Sequence, residues 1–540
     1  MKATNAVLPY YSDRCPSRGP EIRIGANVRG ETGVESYMKE DGFCIRGEGE
    51  NISITASTSR GVLYGVYRFL EIFCNFRCFT KDVETIDTFS VLKIELDEIK
   101  EEPAFESRDA YFRNAFNGEF ASKNRLNASL CDLSVAKGGR MKWFNFHHSF
   151  RDLVPEDVYF DTHPEYFSER DGVRTRDAQL CLTNPEVCEI AEKTLRGWIK
   201  NNPECRVFSV AQNDNPRRCT CKKCLELEEQ EGSPAGPIIH FVNRLADAIK
   251  DEYPRVLLHT FAYQYSVPAP KKAVARENVI VRICSFSTRF DQPFEKLAAN
   301  DPTGAEARFI NALKDWSSHA HRLYVWDYCV NFRNYLQPFF HFHVMAENIR
   351  LFQRLGIAGL MEQGNFAYGG GGAFDELKAY IISRLLWNPK TDIDEETDRF
   401  FTAVYGKNAG EVLKRYLALM EKACTSAPLT IYQYPNAEFI TDGLVEKSDE
   451  LFKEAVAENE TYRERIERDY LSIRFLKITR SELDTVGRDE AVDKFIDDVK
   501  RFGITEINER TSLAVTKHSM KTSRYTEDRP GHYILYYIMQ

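Results

Sequence analysis

No run of 18 consecutive apolar residues occurs in the sequence, so no segment has the length of a membrane-spanning helix and membrane insertion is not expected. The opening residues, MKATNAVLPYYSDRCP, hold no apolar stretch of the kind a secretory leader needs. Positive charge is also in deficit: the formal net charge is −9, which speaks against a nucleic-acid partner. No G-x-G-x-x-G loop follows a predicted strand, so a doubly wound dinucleotide fold is disfavoured. Internal repeats and low-complexity tracts are absent. The 14 cysteines in 540 residues do not form the dense framework of a disulfide scaffold. The expectation is a cytosolic protein with reduced thiols, or an exported one if the N-terminus has been trimmed.

What is present is an ordinary globular balance, 43% hydrophobic and 28% charged, in a chain long enough for two or three domains. Aromatic residues are abundant, with 26 Tyr and 36 Phe. Most such rings form core, but the surplus suits stacking on sugar faces. Residues 1–100 read as a small α/β domain, with strands at EIRIGA (21–26) and ISITAS (52–57) and an amphipathic helix over RGVLYGVYRFLEIF (60–73). Residues 101–405 alternate strand, loop and helix. Eight candidate strands are DAYFR (109–113), MKWFNF (141–146), QLCLT (179–183), RVFSVA (206–211), VLLHTFAY (256–263), VIVRIC (279–284), LYVWDY (323–328) and IAGLMEQ (357–363). Eight strands in this length predict an α/β fold with a (β/α)8 TIM-type barrel. Residues 406–540 read as a helical C-terminal region, closed by an apolar HYILYYIMQ (532–540) that would dock as a strand or short helix.

In a barrel of this kind the catalytic groups come from the C-terminal strand ends. Those ends carry His147, His148, Gln212, Asn213, Asp214, Tyr263, Trp326, Asp327, Tyr328, Glu362, Gln363 and Asn365. Amides and carboxylates hydrogen-bond hydroxyls, and rings stack on pyranose faces, so the set points to a glycan substrate. Glycosidic cleavage needs two carboxyl groups, or one plus a participating group on the sugar. Glu362 ends an apolar strand, where desolvation would raise its pKa as a catalytic acid requires; a helix cap or salt bridge is the plainer role. Asp214 sits in Asn-Asp-Asn-Pro, which is also the composition of an Asx-turn. The tandem His147-His148 would point to opposite faces of an extended segment, so a shared metal ion is not expected and a sugar contact by one of them is. Four glycines at 369–372 form a loop that could admit a large substrate.

Cys219, Cys221 and Cys224 place three thiols in six residues. They suit a structural zinc, with Cys205, Cys188 or a histidine as fourth ligand; a disulfide and free thiols are the alternatives. No cofactor is expected for catalysis itself. A zinc there would pin the loop that follows Asp214.

Taken together and in order, SVAQNDN…CTCKKC (209–224), EEQEGSPAGPIIHFVN (228–243), LHTFAYQY (258–265), LYVWDY (323–328), GLMEQGNF (359–366) and AYIISRLLWNP (379–389) resemble glycoside hydrolase family 163, a group common in gut bacteria. SRGVLYGVYRFLE (59–71) resembles the small α/β domain that precedes the barrel there and in families 20 and 67. The resemblance implies a (β/α)8 endo-β-N-acetylglucosaminidase acting on complex N-glycans, retaining or substrate-assisted. It implies a catalytic role for Glu362 in the EQG motif and makes Asp214 the best match for the second carboxylate. Where the family places a glutamate, this segment offers Gln212, which implies impaired chemistry or assistance by the substrate's 2-acetamido group, oriented by Asp214. An exo-acting hexosaminidase or uronidase, and a glycan-binding relative without catalysis, are the alternatives. The chain departs from the pattern in beginning almost at EIRIG and in reading Asn75-Phe76-Arg77-Cys78 where Gly-x-Arg-Trp is usual.

Overall fold

The computed structural model describes residues 39–458 and 460–523, together with 3–4, 8–12, 15 and 19–25. The expected docking segment 532–540 lies outside the described residues. At the centre is one seven-stranded sheet. Its strands are β1 (Ser107–Tyr111), β2 (Trp143–Phe144), β3 (Val207–Ser209), β4 (Leu257–Ala262), β5 (Ala275–Cys284), β6 (Ala320–Tyr328) and β7 (Gly359–Gln363). They run in the order β1-β7-β6-β5-β4-β3-β2, every neighbouring pair parallel. Helices fall between most of them, including Pro185–Asn201, Ala235–Ile249, Ala305–Ser317 and Phe342–Arg354, and Asp375–Trp387 follows the last. This is the TIM-like α/β architecture the strand–helix alternation predicts.

The anticipated strand at 179–183 does not join the sheet. Leu180 makes only an isolated antiparallel bridge to Phe167, and β2 pairs directly with β3. The side chains on either side of Leu180 explain the displacement: Gln179 is committed to the loop after β3, and Cys181 to a cluster of thiols. At the opposite seam, between β1 and β2, Asn127 substitutes for a strand. Its side-chain oxygen accepts from Arg108 N at 2.9 Å, and its carbonyl accepts from Met141 N at 2.8 Å.

Side chains alternate across each strand, and the packing shows which face is which. Met141, Trp143, Val207, Leu257, Ile280 and Tyr324, drawn from β2 to β6, meet in one cluster inside the curl of the sheet. Phe208, Leu258, Val281, Val325, Leu360 and Ala110 belong instead to the main core beneath the helices. Gly359 lies on the inner face because the Tyr324 ring fills its place: a Cβ there would stand 2.6 Å from that ring.

The N-terminal segment forms a four-stranded sheet, ordered Ile22–Ile24, Asn51–Ala56, Phe43–Glu48, Glu98–Glu101. Helix Ser59–Phe73, capped by Thr58 through Gly61 N, lays Tyr64 and Phe69 on Phe43 and Ile54. Two buried ion clusters fasten this unit to the barrel. Asp41 bonds Arg60 at 2.7 Å and Arg108 at 2.5 Å. Glu71 bonds Arg125 at 2.6 Å and Arg384 at 2.8 Å. Burial opposes ionisation of Glu71, but Arg125 and Arg384 outweigh it and hold its carboxyl down at about 2.

After Trp387 the chain turns helical, with Ile393–Tyr405, Lys407–Cys424, Asp442–Glu458, Arg463–Arg480, Arg488–Arg501 and Leu513–Thr522. Two connecting stretches return to the strand-end loops of the barrel: Phe332 N donates to Ile431 O at 2.9 Å, and Tyr335 N to Ile507 O at 2.8 Å. Among the described residues no helix is long and apolar enough to cross a membrane.

Removing one partner from a buried ion cluster strands the others in low dielectric, at a cost of about 3–5 kcal/mol. Glu71→Ala is therefore expected to lower the unfolding free energy by about that amount, read as a shift in the urea midpoint. A midpoint within error of the wild type would show that the cluster does not fasten the two parts.

Candidate active site

Above the inner cluster, rings from several strands gather at the C-terminal strand ends, where the hollow of a barrel lies. Phe146 stacks on Trp326 at 5.8 Å and 12°. Tyr111 packs against Phe146 and Phe366 at 5.7 and 5.5 Å. On the other flank Tyr263, Phe286, Tyr328 and Tyr432 form a chain of edge contacts. The Trp326 indole N–H donates to Gln363 Oε1 at 2.7 Å, which fixes both side chains. Trp326, Gln363, Tyr263 and Tyr328 thus occupy the inner face at the strand ends, as their sequence positions predict.

Asp214 stands at the rim, its side chain 58% exposed, with Oδ1 3.7 Å from His148 Nε2. His148 Nδ1 is 2.6 Å from the Gln212 carbonyl. Burial pushes the His148 imidazole below its usual range, and Asp214 works against that shift. The two histidine rings are not on opposite faces: His147 and His148 lie side by side, 6.5 Å apart and 16° from parallel. The segment departs from regular strand geometry, with Asn145 at φ +47°, and strict alternation does not apply.

A second carboxyl, from the far end of the chain, lies within electrostatic reach of Asp214. Glu509 follows the Ile507 contact that ties the C-terminal segment to Tyr335. Burial raises its pKa, Arg510 opposes, and the charges of Asp214 and Glu506 add to the rise. Tyr432, pushed up chiefly by burial, feels the charges of both Glu509 and Asp214. Asp214 and Glu509 thus lie within electrostatic reach of one another and of Tyr432. Nothing in the local sequence around Glu509 marks it, because only the return of the C-terminal segment gives it a role.

Several predicted contacts lie elsewhere. Gln212 is buried and clamped: Nε2 donates to Tyr263 O at 2.9 Å and Oε1 accepts from Ser266 Oγ at 2.8 Å. Asn213 donates to Ala178 O at 2.8 Å and accepts from Arg151 N at 3.1 Å. Asn365 is buried, its Oδ1 accepting from Ala367 N at 3.0 Å in an Asx-turn. These amides build loops rather than line the hollow. The glycine loop is covered as well: a Cβ on Gly369 (φ +84°) would meet Gly503 O at 2.0 Å, so the glycines let the C-terminal segment close over them.

Glu362 is the principal correction. Met361 and Gln363 face inward, so Glu362 faces the helical layer, in register with Asp327 on β6 and Ala110 on β1. It is 0% exposed, and among the described residues neither side-chain oxygen has a hydrogen-bond partner. Asp327 shares that outer face and accepts from Ser285 Oγ. Burial pushes Asp327 up to about 7. Burial raises Glu362 well above its usual value, and the Asp327 charge adds to it. The desolvation expected of Glu362 is therefore present, but on the helix-facing side of the sheet.

Below the hollow, the inner face holds polar groups that sequence reading passed over. Arg282 and His259 are buried inside the barrel and Asp109 is half-buried, and among the described residues Asp109 Oδ1, Arg282 Nε and Nη1, and His259 Nε2 have no hydrogen-bond partner. Arg282 lies over the Trp143 ring at 4.3 Å. Burial pushes Asp109 up to about 7, with Arg282 drawing it back. A charged residue in mid-strand, as in RDAYF and VIVRIC, was the available signal. The thiols converge beside the rim: Cys181, Cys219, Cys221 and Cys224 have their sulfurs within 4.8 Å of one another. The fourth thiol is Cys181, not Cys188 or Cys205.

A family model described as a domain of unknown function, DUF4838, matches residues 79–418. No curated protein matches the chain. Among solved structures the chain is similar to a GH138 enzyme targeting pectin rhamnogalacturonan II, with 9% identity over 93% of this chain and 78% of that one and a TM-score of 0.42. It is also similar to a beta-N-acetylhexosaminidase from Bacteroides fragilis NCTC 9343, with 12% identity over 71% of this chain and 82% of that one and a TM-score of 0.38.

The buried carboxyls have a consequence for stability. Folded Asp109, Asp327 and Glu362 keep protons that the unfolded chain releases above about pH 4. Their contribution is full below that pH and is lost as pH rises through about 7 for the aspartates, and higher for Glu362. Each group can cost up to about 1.4 kcal/mol per pH unit across its window. Glu362→Gln, which cannot ionise, is expected to match wild-type stability below about pH 4 and to exceed it increasingly as pH rises from there. Urea unfolding over a pH series reads this directly; parallel pH curves for the two proteins would refute the buried placement.

Proposed function

The chain belongs to the DUF4838 family, and we propose that it is a glycoside hydrolase whose carboxyl pair is Asp214 and Glu509. What supports this reading is that those two groups, from segments almost 300 residues apart in sequence, lie within reach of each other's charge and of the Tyr432 ring, beside the strand-end rings Trp326, Tyr263 and Tyr328. Glu509, its proton held beyond the ordinary glutamate range by burial and by Asp214, acts as the general acid and donates to the glycosidic oxygen. Asp214, accompanied by His148, faces the anomeric centre from the β3 side. There it stabilises the oxocarbenium-like transition state, or orients a 2-acetamido group that attacks in its stead. The rings hold the sugar by its apolar face, and Gln363 and the two histidines offer hydrogen bonds to hydroxyls.

The finer reading is an endo-β-N-acetylglucosaminidase acting on complex N-glycans. The ordered motifs resembling glycoside hydrolase family 163 support it. In this scheme Glu362 and Asp327 are positioning residues that hold β6 and β7 from behind, so the EQG motif contributes its glutamine to the hollow and its glutamate to the wall.

Incubation with a panel of N-glycans, followed by mass analysis of the products, gives bond position and endo or exo action together. Asp214→Asn and Glu509→Gln are each expected to lower kcat/KM by about 10²–10⁴-fold, while Glu362→Gln stays within several-fold of the wild type. Full activity in Glu509→Gln would remove the acid from this scheme. Binding of glycans with no cleavage by the wild type would favour a non-catalytic relative.

The pH–rate profile tests the acid separately. Glu509 must be protonated to act, so the rate is expected to fall as pH rises through its raised pKa, on a limb lying above the usual glutamate value of about 4.3. A rate unchanged across that limb would count against Glu509.

A further inference from the structure

The cluster of Cys181, Cys219, Cys221 and Cys224 plays no part in the chemistry proposed above. All four side chains are buried, none forms a disulfide, and together they make a separate cluster with no aliphatic member. The Cys181 sulfur lies 3.7 Å from that of Cys221 and 4.0 Å from that of Cys224. A disulfide requires about 2.05 Å. A tetrahedron of sulfurs around an ion at about 2.3 Å has edges of about 3.8 Å. Four soft donors in this arrangement, with no carboxylate among them, match a closed structural zinc site.

The surroundings fit the charge such a centre would carry. Glu169 N donates to Cys219 Sγ at 3.3 Å, and Arg174 Nη1 approaches the same sulfur at 3.7 Å. Thr183 Oγ1 lies 3.2 Å from Cys224 Sγ. These donors would offset the excess negative charge of four thiolates around a divalent ion.

We propose that Cys181, Cys219, Cys221 and Cys224 bind one zinc ion that joins the displaced 179–183 segment to the start of helix Lys222–Glu231. The join bears on the rim. Gln179, two residues before Cys181, accepts from Asn213 N at 2.8 Å and donates to the Asn213 and Asn215 carbonyls at 2.9 and 2.8 Å. It grips the backbone on both sides of Asp214. Zinc would therefore set the position of Asp214 from one side of the loop through Gln179, and from the other through Cys219.

Elemental analysis of the full chain, purified under reducing conditions without chelator, is expected to find one zinc per chain. A mercurial thiol reagent is expected to release it. Cobalt substitution is expected to give the intense absorption of tetrahedral tetrathiolate coordination. Cys181→Ser is expected to lose the metal and Cys188→Ser to keep it. A wild-type protein that retains no metal and gives no cobalt spectrum overturns the proposal, as does an intramolecular disulfide among the four cysteines seen by mass. These readouts do not use glycan cleavage, so they stand or fall separately from the proposed activity.

Discussion

Alternation of side chains across a strand is the constraint on which the rest of this protein depends. In β7 it sends Met361 and Gln363 inward and Glu362 outward, and the parallel register repeats the choice in Trp326, Asp327 and Tyr328 of β6. One residue's shift would exchange the two sets. Two acidic residues at adjacent strand ends, both strongly desolvated, thus become part of the wall, while an amide and an indole become part of the hollow. Perturbed titration alone does not locate an active site, because burial behind a sheet raises a carboxyl pKa as effectively as burial within a cleft.

The hollow is assembled from parts that are individually incomplete. The barrel supplies rings and one exposed carboxylate. Two connections between the C-terminal helices supply Tyr432 and Glu509, and they are held there by backbone hydrogen bonds from Phe332 and Tyr335. The glycines at 369–371 accept this arrangement by allowing backbone to lie against backbone. The N-terminal unit acts from the opposite side, where Asp41 grips Arg108 at the start of β1. Substitutions far from the hollow can therefore disturb it through either junction.

The loop after β3 shows how a polar sequence is divided between support and chemistry. Of Gln212, Asn213 and Asp214, the two amides spend their hydrogen bonds on neighbouring backbone, and only the carboxylate projects to the rim. The amides are buried because they satisfy backbone groups that a bent loop would otherwise leave unpaired. The displaced 179–183 segment belongs to the same device. It forgoes a place in the sheet and uses Gln179 to hold that loop.

The sequence by itself determined the layered α/β plan, the helical C-terminal region, and the identity of most strands, because apolar periodicity and turn residues are local signals. It also exposed Trp326, Tyr263, Tyr328 and Asp214 as candidates, since each stands where an apolar strand gives way to a loop. Only the tertiary structure decided that Glu362 and Asp327 face the helices, that Cys181 completes the thiol cluster, and that Glu509 comes within reach of the Asp214 charge. The physical reason is that inward and outward are defined by the curl of the whole sheet. Proximity between residues 181 and 219, or 214 and 509, is set by chain crossings that leave no trace in local spacing.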